Sequence, residues 1–219
     1  LVFAERYRRL EKKMAVQEKD PCRKVELTAI SRVLARVPAQ PASSFHEALQ
    51  MVWLMQLIPQ IESNGFSISL GRLDQYCWPY LKADLAAGTI TLEQAQELLD
   101  LLWLQFCEIL RVDSRDAAEV NAGSYVAGQN MEVGGGDRGG HDCTNLLSSL
   151  CLNANRHIQL HQPNFTIRLH AGTPQEFLDH AVGSSAWGNG MPQVLNDAVI
   201  IQHLRHSSSG GTGLYRCRL

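Results

Sequence analysis

Residues able to do chemistry cluster in a few places along the 219-residue sequence. Gly134, Gly136 and Gly139 satisfy the G-x-G-x-x-G spacing that brings a backbone close to a pyrophosphate. Such a site also needs an acidic residue about 20 positions further on. No Asp or Glu stands between Asp142 and Glu176, so the segment reads as a loop turn built on glycines that accept positive φ. His46-Glu47 opens like the zinc motif H-E-x-x-H, but Gln50 stands where the second His is required. His141, Asp142 and Cys143 are ligand types too close together to converge on one ion without a tight turn. His157, His161 and His170 surround a candidate strand, either as cavity lining or as strand-end residues; joined by a metal they would make an independent enzyme. Ser184-Ser185 lacks the G-x-S-x-G elbow of a hydrolase nucleophile.

The densest constellation runs from Glu62 to Tyr76. A nearly all-apolar helix ends there in small and polar residues, followed by Arg72 and Asp74. Polar groups at the end of a buried helix lie deep and must find partners. Arg72 and Asp74 read as a structural ion pair, and Phe66 and Ser67 as pocket lining.

These residues need elements to position them. Glu5–Lys19 is an amphipathic helix, and Asp20-Pro21 starts a second that runs to about Val37. Ser44 and Glu47 form a capping-box pattern for a helix over Phe45–Ser63, apolar nearly all round and so expected to be buried on most sides. Phe66–Leu70 is short and β-prone. Leu73–Ala87 reads as one helix stopped by Gly88, and Thr91 caps another to about Val112. Asp113–Gly128 reads as irregular. Gln129–Val133, Asn164–Leu169 and Gln193–Leu195 read as strands, alternating with helices over Thr144–His157, Pro174–Trp187 and Asp197–His206. Such alternation indicates α/β units.

Composition narrows the function classes. The 20 basic and 22 acidic residues leave a net charge of -2, without the basic face that nucleic acid requires. No apolar run reaches the ~18 residues of a membrane span. The six cysteines form no Cys-x-x-Cys and read as reduced thiols of a cytoplasmic protein.

Three stretches carry a family resemblance: Phe45–Gln50, Gln60–Gly65 and Ser67–Tyr76. Further likeness follows at Gln129-Asn130, Pro163–Arg168, Gly190–Pro192 and Asn196-Asp197. Together they resemble the glycyl radical enzymes of the pyruvate formate-lyase/diol dehydratase type. The resemblance implies part of a ten-stranded α/β barrel wrapped by helices, helix-rich here. It implies a small-molecule substrate, and a thiyl radical on a Cys generated by a glycyl radical. No bound cofactor is expected: the radical is installed by a separate activating enzyme with an iron–sulfur cluster and S-adenosylmethionine. The intact form has room to be a homodimer. By position Phe66 and Ser67 match a pocket-lining pair whose first member is commonly His, a departure that argues against glycerol-type dehydration. Arg168 is a further pocket candidate, for an anionic substrate.

The family's Gly-Cys-x-Glu motif does not occur, and neither radical carrier is expected within the chain. Residues 1–206 read as a partial barrel domain and residues 207–219 as an aberrant tail. One allowed set of codons for Ser209–Leu219, read one base later, encodes Ala-Glu-Ala-Arg-Asp-Tyr-Thr-Ala-Ala-Gly, which is similar to the family's continuation. A frameshift near Ser207 is therefore expected, with Cys217 out of frame and the chain inactive by itself. The alternative is a non-catalytic helical interaction module.

Overall fold

The structure is a computed structural model that describes residues 1–65, 68–109, 114–120, 128–186, 188 and 190–210. A helical hairpin comes first, α1 (Val2–Gln17) and α2 (Pro21–Arg36). Asp20 caps α2 by accepting from the Cys22 N–H, with Pro21 at the first helical position. Next is α3 (Phe45–Ser63), capped by Ser44 through the Glu47 N–H. Its capping residue Ser44 is followed by Phe45, whose N–H donates to Asp84 at 2.7 Å and ties this end to the next layer. A short strand β1 (Gly71–Arg72) leads into α4 (Leu73–Tyr76) and α5 (Trp78–Ala87). The expected single helix over Leu73–Ala87 is thus broken at Cys77. Pro79 lies in the first turn of α5, where it lacks an N–H to continue an earlier helix.

Thr91 and Gln94 form the full capping box of α6 (Leu92–Cys107). A short α7 (Arg115–Val120) falls in the stretch expected to be irregular. The Ser114 side chain accepts the Ala117 N–H at 3.4 Å and caps its start. The rest of the chain alternates: β2 (Asn130–Gly134), α8 (Leu146–Ile158), β3 (Asn164–Leu169), α9 (Gln175–Ser185), β4 (Gln193–Asn196) and α10 (Asp197–Gly210).

The four strands are all parallel and lie in the order β1-β2-β3-β4. Right-handed crossovers between sequential neighbours put every connecting helix on the same face. That face is apolar. Met131, Val133, Phe165 and Ile167 alternate along β2 and β3 and are fully buried against α6 and α8. Leu99, Trp103 and Phe106 from α6 and Leu147, Leu150 and Cys151 from α8 complete the same core. Trp103 meets the Phe165 ring edge-on, with centroids 5.7 Å apart. The residues between them, Asn130, Glu132, Thr166 and Arg168, fall on the opposite, helix-free face, since strand side chains alternate. This is the expected α/β barrel wall.

Helix α3 is packed on most sides, as expected, with its exposed positions toward the C-terminal half. Two apolar sides are buried, with Leu54 against Ala4 and Leu34 of α1 and α2 and with Phe45, Ala48 and Leu49 in the main core. The helix also buries its glutamines Gln56 and Gln60 and exposes Met55 (60%) and Ile61 (62%). Gln56 donates to the carbonyl of Ile68 and to the Gln129 side chain, at 2.8 and 3.0 Å. The five cysteines among the described residues are free thiols, as expected, with Cys77 and Cys151 inside the core.

Phe165→Ala should lower stability by about 3–5 kcal/mol, the usual cost of emptying a fully packed aromatic site. A urea titration followed by circular dichroism measures it.

Candidate active site

The glycine-rich loop after β2 lies at the carboxyl end of the sheet, where α/β proteins place ligands. Its backbone donors are already engaged. The Gly134 N–H donates to Asp74 at 2.8 Å and the Gly136 N–H to Asp197 at 2.8 Å. The N–H groups of Gly139 and His141 converge on Asp137, at 2.7 and 2.9 Å. The bridge between Gly136 and Asp142 folds the loop back on itself. Three carboxylates thus occupy the positions a phosphate would take, and the loop is the structural turn its sequence indicates.

Arg72 and Asp74, expected to pair with each other, both grip this loop instead. No ion pair forms between them among the described residues. The Arg72 guanidinium donates to the carbonyls of Gly134 at 2.7 Å and Gly136 at 3.5 Å. The Asp74 side chain is fully buried and its second oxygen-bound partner is the Ser148 hydroxyl, at 2.6 Å. Its Oδ1 has no partner among the described residues, and burial pushes its carboxyl above the ordinary range. Helix α8 begins beside it. Asn145 caps α8 and donates to the Asp74 carbonyl at 3.1 Å.

Arg168, the pocket candidate on β3, is buried and forms a two-pronged pair with Asp197 at the start of α10, at 2.7 and 3.1 Å. Its Nη1 has no partner among the described residues. Gly135, at φ +78°, leaves the room this pair needs. A Cβ there would lie 2.9 Å from the Cβ and Nε of Arg168 and from Oδ2 of Asp197. Asp197 holds Arg168 and Gly136 together, a role that the sequence pattern did not reveal, although the residue lies in one of the resembling motifs.

The other pocket candidates, Phe66 and Ser67, lie outside the described residues. The chain just after them is fixed: Gln56 holds the Ile68 carbonyl, and the Leu70 N–H donates to Asn130 at 2.8 Å. Gln129, fully buried, continues this network to Phe106 and Gln162. On the helix-free face Thr166 donates to Asn130 at 3.0 Å, and the Asn130 amide reaches Glu132 at 3.4 Å.

The histidines do not converge. His157 pairs with Asp100 on the outside of the molecule, whereas His170 pairs with Asp142 at 3.0 Å and accepts the Gly172 N–H on its other nitrogen. Both ring nitrogens of His170 are therefore used. His46 lies in the first turn of α3, where burial lowers its pKa. Among the described residues no group of three or more His, Cys, Asp or Glu could hold a metal ion. No helix among them is long and apolar enough to cross a membrane.

This frame, a parallel sheet wrapped on one side and polar on the other, is shared with known proteins. The family model of pyruvate formate lyase-like proteins matches residues 1–213. The chain belongs to this family. It is 34% identical over 202 residues to the isethionate sulfite-lyase of Nitratidesulfovibrio vulgaris, covering 92% of this chain and 24% of that protein. It is 37% identical to a probable dehydratase of Escherichia coli, over 90% of this chain and 25% of the relative. A structure describing 1,2-propanediol dehydration in Roseburia inulinivorans superposes with a TM-score of 0.89 at 42% identity, over 96% of this chain and 26% of that one. The glycerol-bound, B12-independent glycerol dehydratase of Clostridium butyricum gives 0.88 at 38% identity, again over 96% and 26%. The chain thus spans about a quarter of the length of these glycyl radical enzymes.

Gly135→Ala should destabilise the chain by about 1–3 kcal/mol, from a strained φ and overpacking against the Arg168–Asp197 pair; thermal unfolding reads it. Asp74 tests burial. Its raised folded pKa means that the native state keeps a proton the unfolded chain releases, so stability falls as pH rises above the ordinary carboxylate range. Asp74→Asn should remove that fall, so urea midpoints of wild type and variant should diverge between acid and neutral pH.

Proposed function

We propose that this chain is a segment of a glycyl radical enzyme that acts on a small molecule by thiyl-radical chemistry, of the dehydratase or carbon–heteroatom lyase kind. The observation that supports the reading is a parallel sheet with a polar second face in a chain that superposes on a structure describing 1,2-propanediol dehydration and on a glycerol dehydratase. A radical enzyme needs a closed interior that keeps water and stray C–H bonds from the reacting centre. A curved wall with apolar packing outside and a few polar groups inside is one part of such an enclosure. The relatives named as lyases or dehydratases favour this branch over formate acetyltransfer.

In this reading the residues of the segment bind and orient substrate. Phe66 and Ser67 precede β1 and line the pocket; Phe66 contributes apolar surface and cannot transfer a proton. Arg168, already neutralised by Asp197, offers a hydrogen bond from Nη1 and little net charge. The radical Gly and the reactive Cys belong to other segments, because the sequence contains no Gly-Cys-x-Glu. A separate activating enzyme, using an iron–sulfur cluster and S-adenosylmethionine, installs the radical. Residues 1–206 form part of the barrel domain, in the cytoplasm, and residues 207–219 are a frameshifted tail.

Two measurements test this. Resequencing from the codon of Arg205 past that of Leu219 should show a single-base slip and a restored frame that runs through Gly-Cys-x-Glu. The restored polypeptide, activated without oxygen, should then give a glycyl radical signal in electron paramagnetic resonance, while the 219-residue chain gives none. A reading frame confirmed without any slip overturns the frameshift reading.

A further inference from the structure

Two of the outer helices leave apolar stripes uncovered. On α1, Phe3, Tyr7, Leu10 and Met14 recur at spacings of four and three residues and so form one line along the helix. Phe3 anchors the line on Leu34 and Leu54, and its ring lies 4.8 Å from that of Tyr7. On α6, Leu101 and Leu104 turn away from Trp103 and Phe106, which enter the core. Leu10, Met14, Leu101 and Leu104 are all 40–51% exposed.

The charges beside the two stripes are opposite. Helix α1 carries five basic side chains and two acidic ones, and Glu5 binds Arg8 and Arg9. Arg6 and Lys13 are exposed beside Leu10 and enter no ion pair among the described residues. Helix α6 carries Glu93, Glu97 and Asp100 and no Lys or Arg. Glu97 is exposed one turn before Leu101. Both helices border one cleft of about 670 Å³: Tyr7 lies on one wall, Leu98 and Leu101 on the other, and Trp53 and Leu57 of α3 between them.

We infer that the α1–α6 face is the contact between two copies of this chain, related by a twofold axis that runs through the cleft. A patch that is basic on one side of the axis and acidic on the other is complementary to itself, because a half-turn places α1 of one copy on α6 of its partner and the reverse. Each apolar stripe then covers the other, and the basic residues beside one meet the carboxylates beside the other, as flanking charges do between paired helices. Burial of the stripes supplies the affinity. The charges fix the pairing, since α1 against α1 or α6 against α6 would set like charges together. The contact needs neither substrate nor radical, and it stands apart from the proposed function above.

Sedimentation equilibrium of the 219-residue chain tests this. The chain should form a dimer with a dissociation constant of about micromolar order, the weak end for a specific interface. The dimer should loosen as salt rises, because exposed charges are screened. Leu101→Asn should weaken it by about tenfold or more, as removal of a central apolar contact does. Arg6→Glu with Lys13→Glu makes α1 acidic and should weaken it by a similar factor. Adding Glu93→Lys and Glu97→Lys to that variant exchanges the two signs and should recover most of the loss. All five positions are exposed, so circular dichroism should match wild type throughout. The inference is overturned if the chain is a monomer at about 100 μM, far above the expected constant. It is also overturned if Leu101→Asn leaves association within about twofold of wild type, which places the contact on another surface such as the free edge of β4, or if the exchanged-charge variant associates no better than the one with acidic α1.

Discussion

A parallel sheet whose strands follow one another in sequence order can place its connecting helices on one face only, because each crossover has the same hand. The other face carries none of these connecting helices, and its buried residues Thr166 and Arg168 are satisfied by polar partners such as Asn130 and Asp197. It must be polar or be enclosed, and the rest of this molecule answers to that constraint. On β2 and β3 every second side chain, Met131, Val133, Phe165 and Ile167, is fully buried under α6 and α8. The intervening positions carry Asn130, Glu132, Thr166 and Arg168 instead, a set that would be poor core and is suited to a binding surface.

The same constraint explains the buried charge. Strand ends on the helix-free side leave polar groups without solvent, and this chain meets the need with carboxylates from neighbouring elements. Asp74 and Asp197 each accept a loop N–H, and Asp197 also neutralises Arg168. A lone buried ion is expensive, so the pairing of Arg168 is a condition for its position on β3. The Oδ1 of Asp74, without a partner among the described residues, marks where this accommodation is incomplete, and burial holds its carboxyl above the ordinary range. The glycines are small for a mechanical reason: at Gly135 the pair occupies the space that any side chain would need.

Local signals in the sequence were strong where the physics is local. Capping residues Asp20, Ser44 and Thr91 marked three helix starts, and each makes the expected bond to the backbone. The strands over Asn130–Gly134, Asn164–Leu169 and Gln193–Asn196 were legible from their composition and spacing. The break at Cys77 was not anticipated, although Pro79 was there to signal it. The short helix at Arg115–Val120 was missed because a single serine cap is a weak cue in a polar stretch.

Partnerships were a different matter. The sequence by itself determined the α/β class, the family, the helix starts and the reading of the glycine-rich segment as a turn, since these depend on neighbours within a few residues or on motifs read in order. Only the tertiary structure decided that Arg72 and Asp74 hold the loop rather than each other, that Arg168 is spent on Asp197, and that α3 buries its glutamines while Met55 and Ile61 stay exposed. Those outcomes join residues 12 to 74 positions apart along the chain. Charge and hydrogen-bonding capacity are visible in a sequence, but the distance that makes one acceptor win over another exists only once the strands are in register.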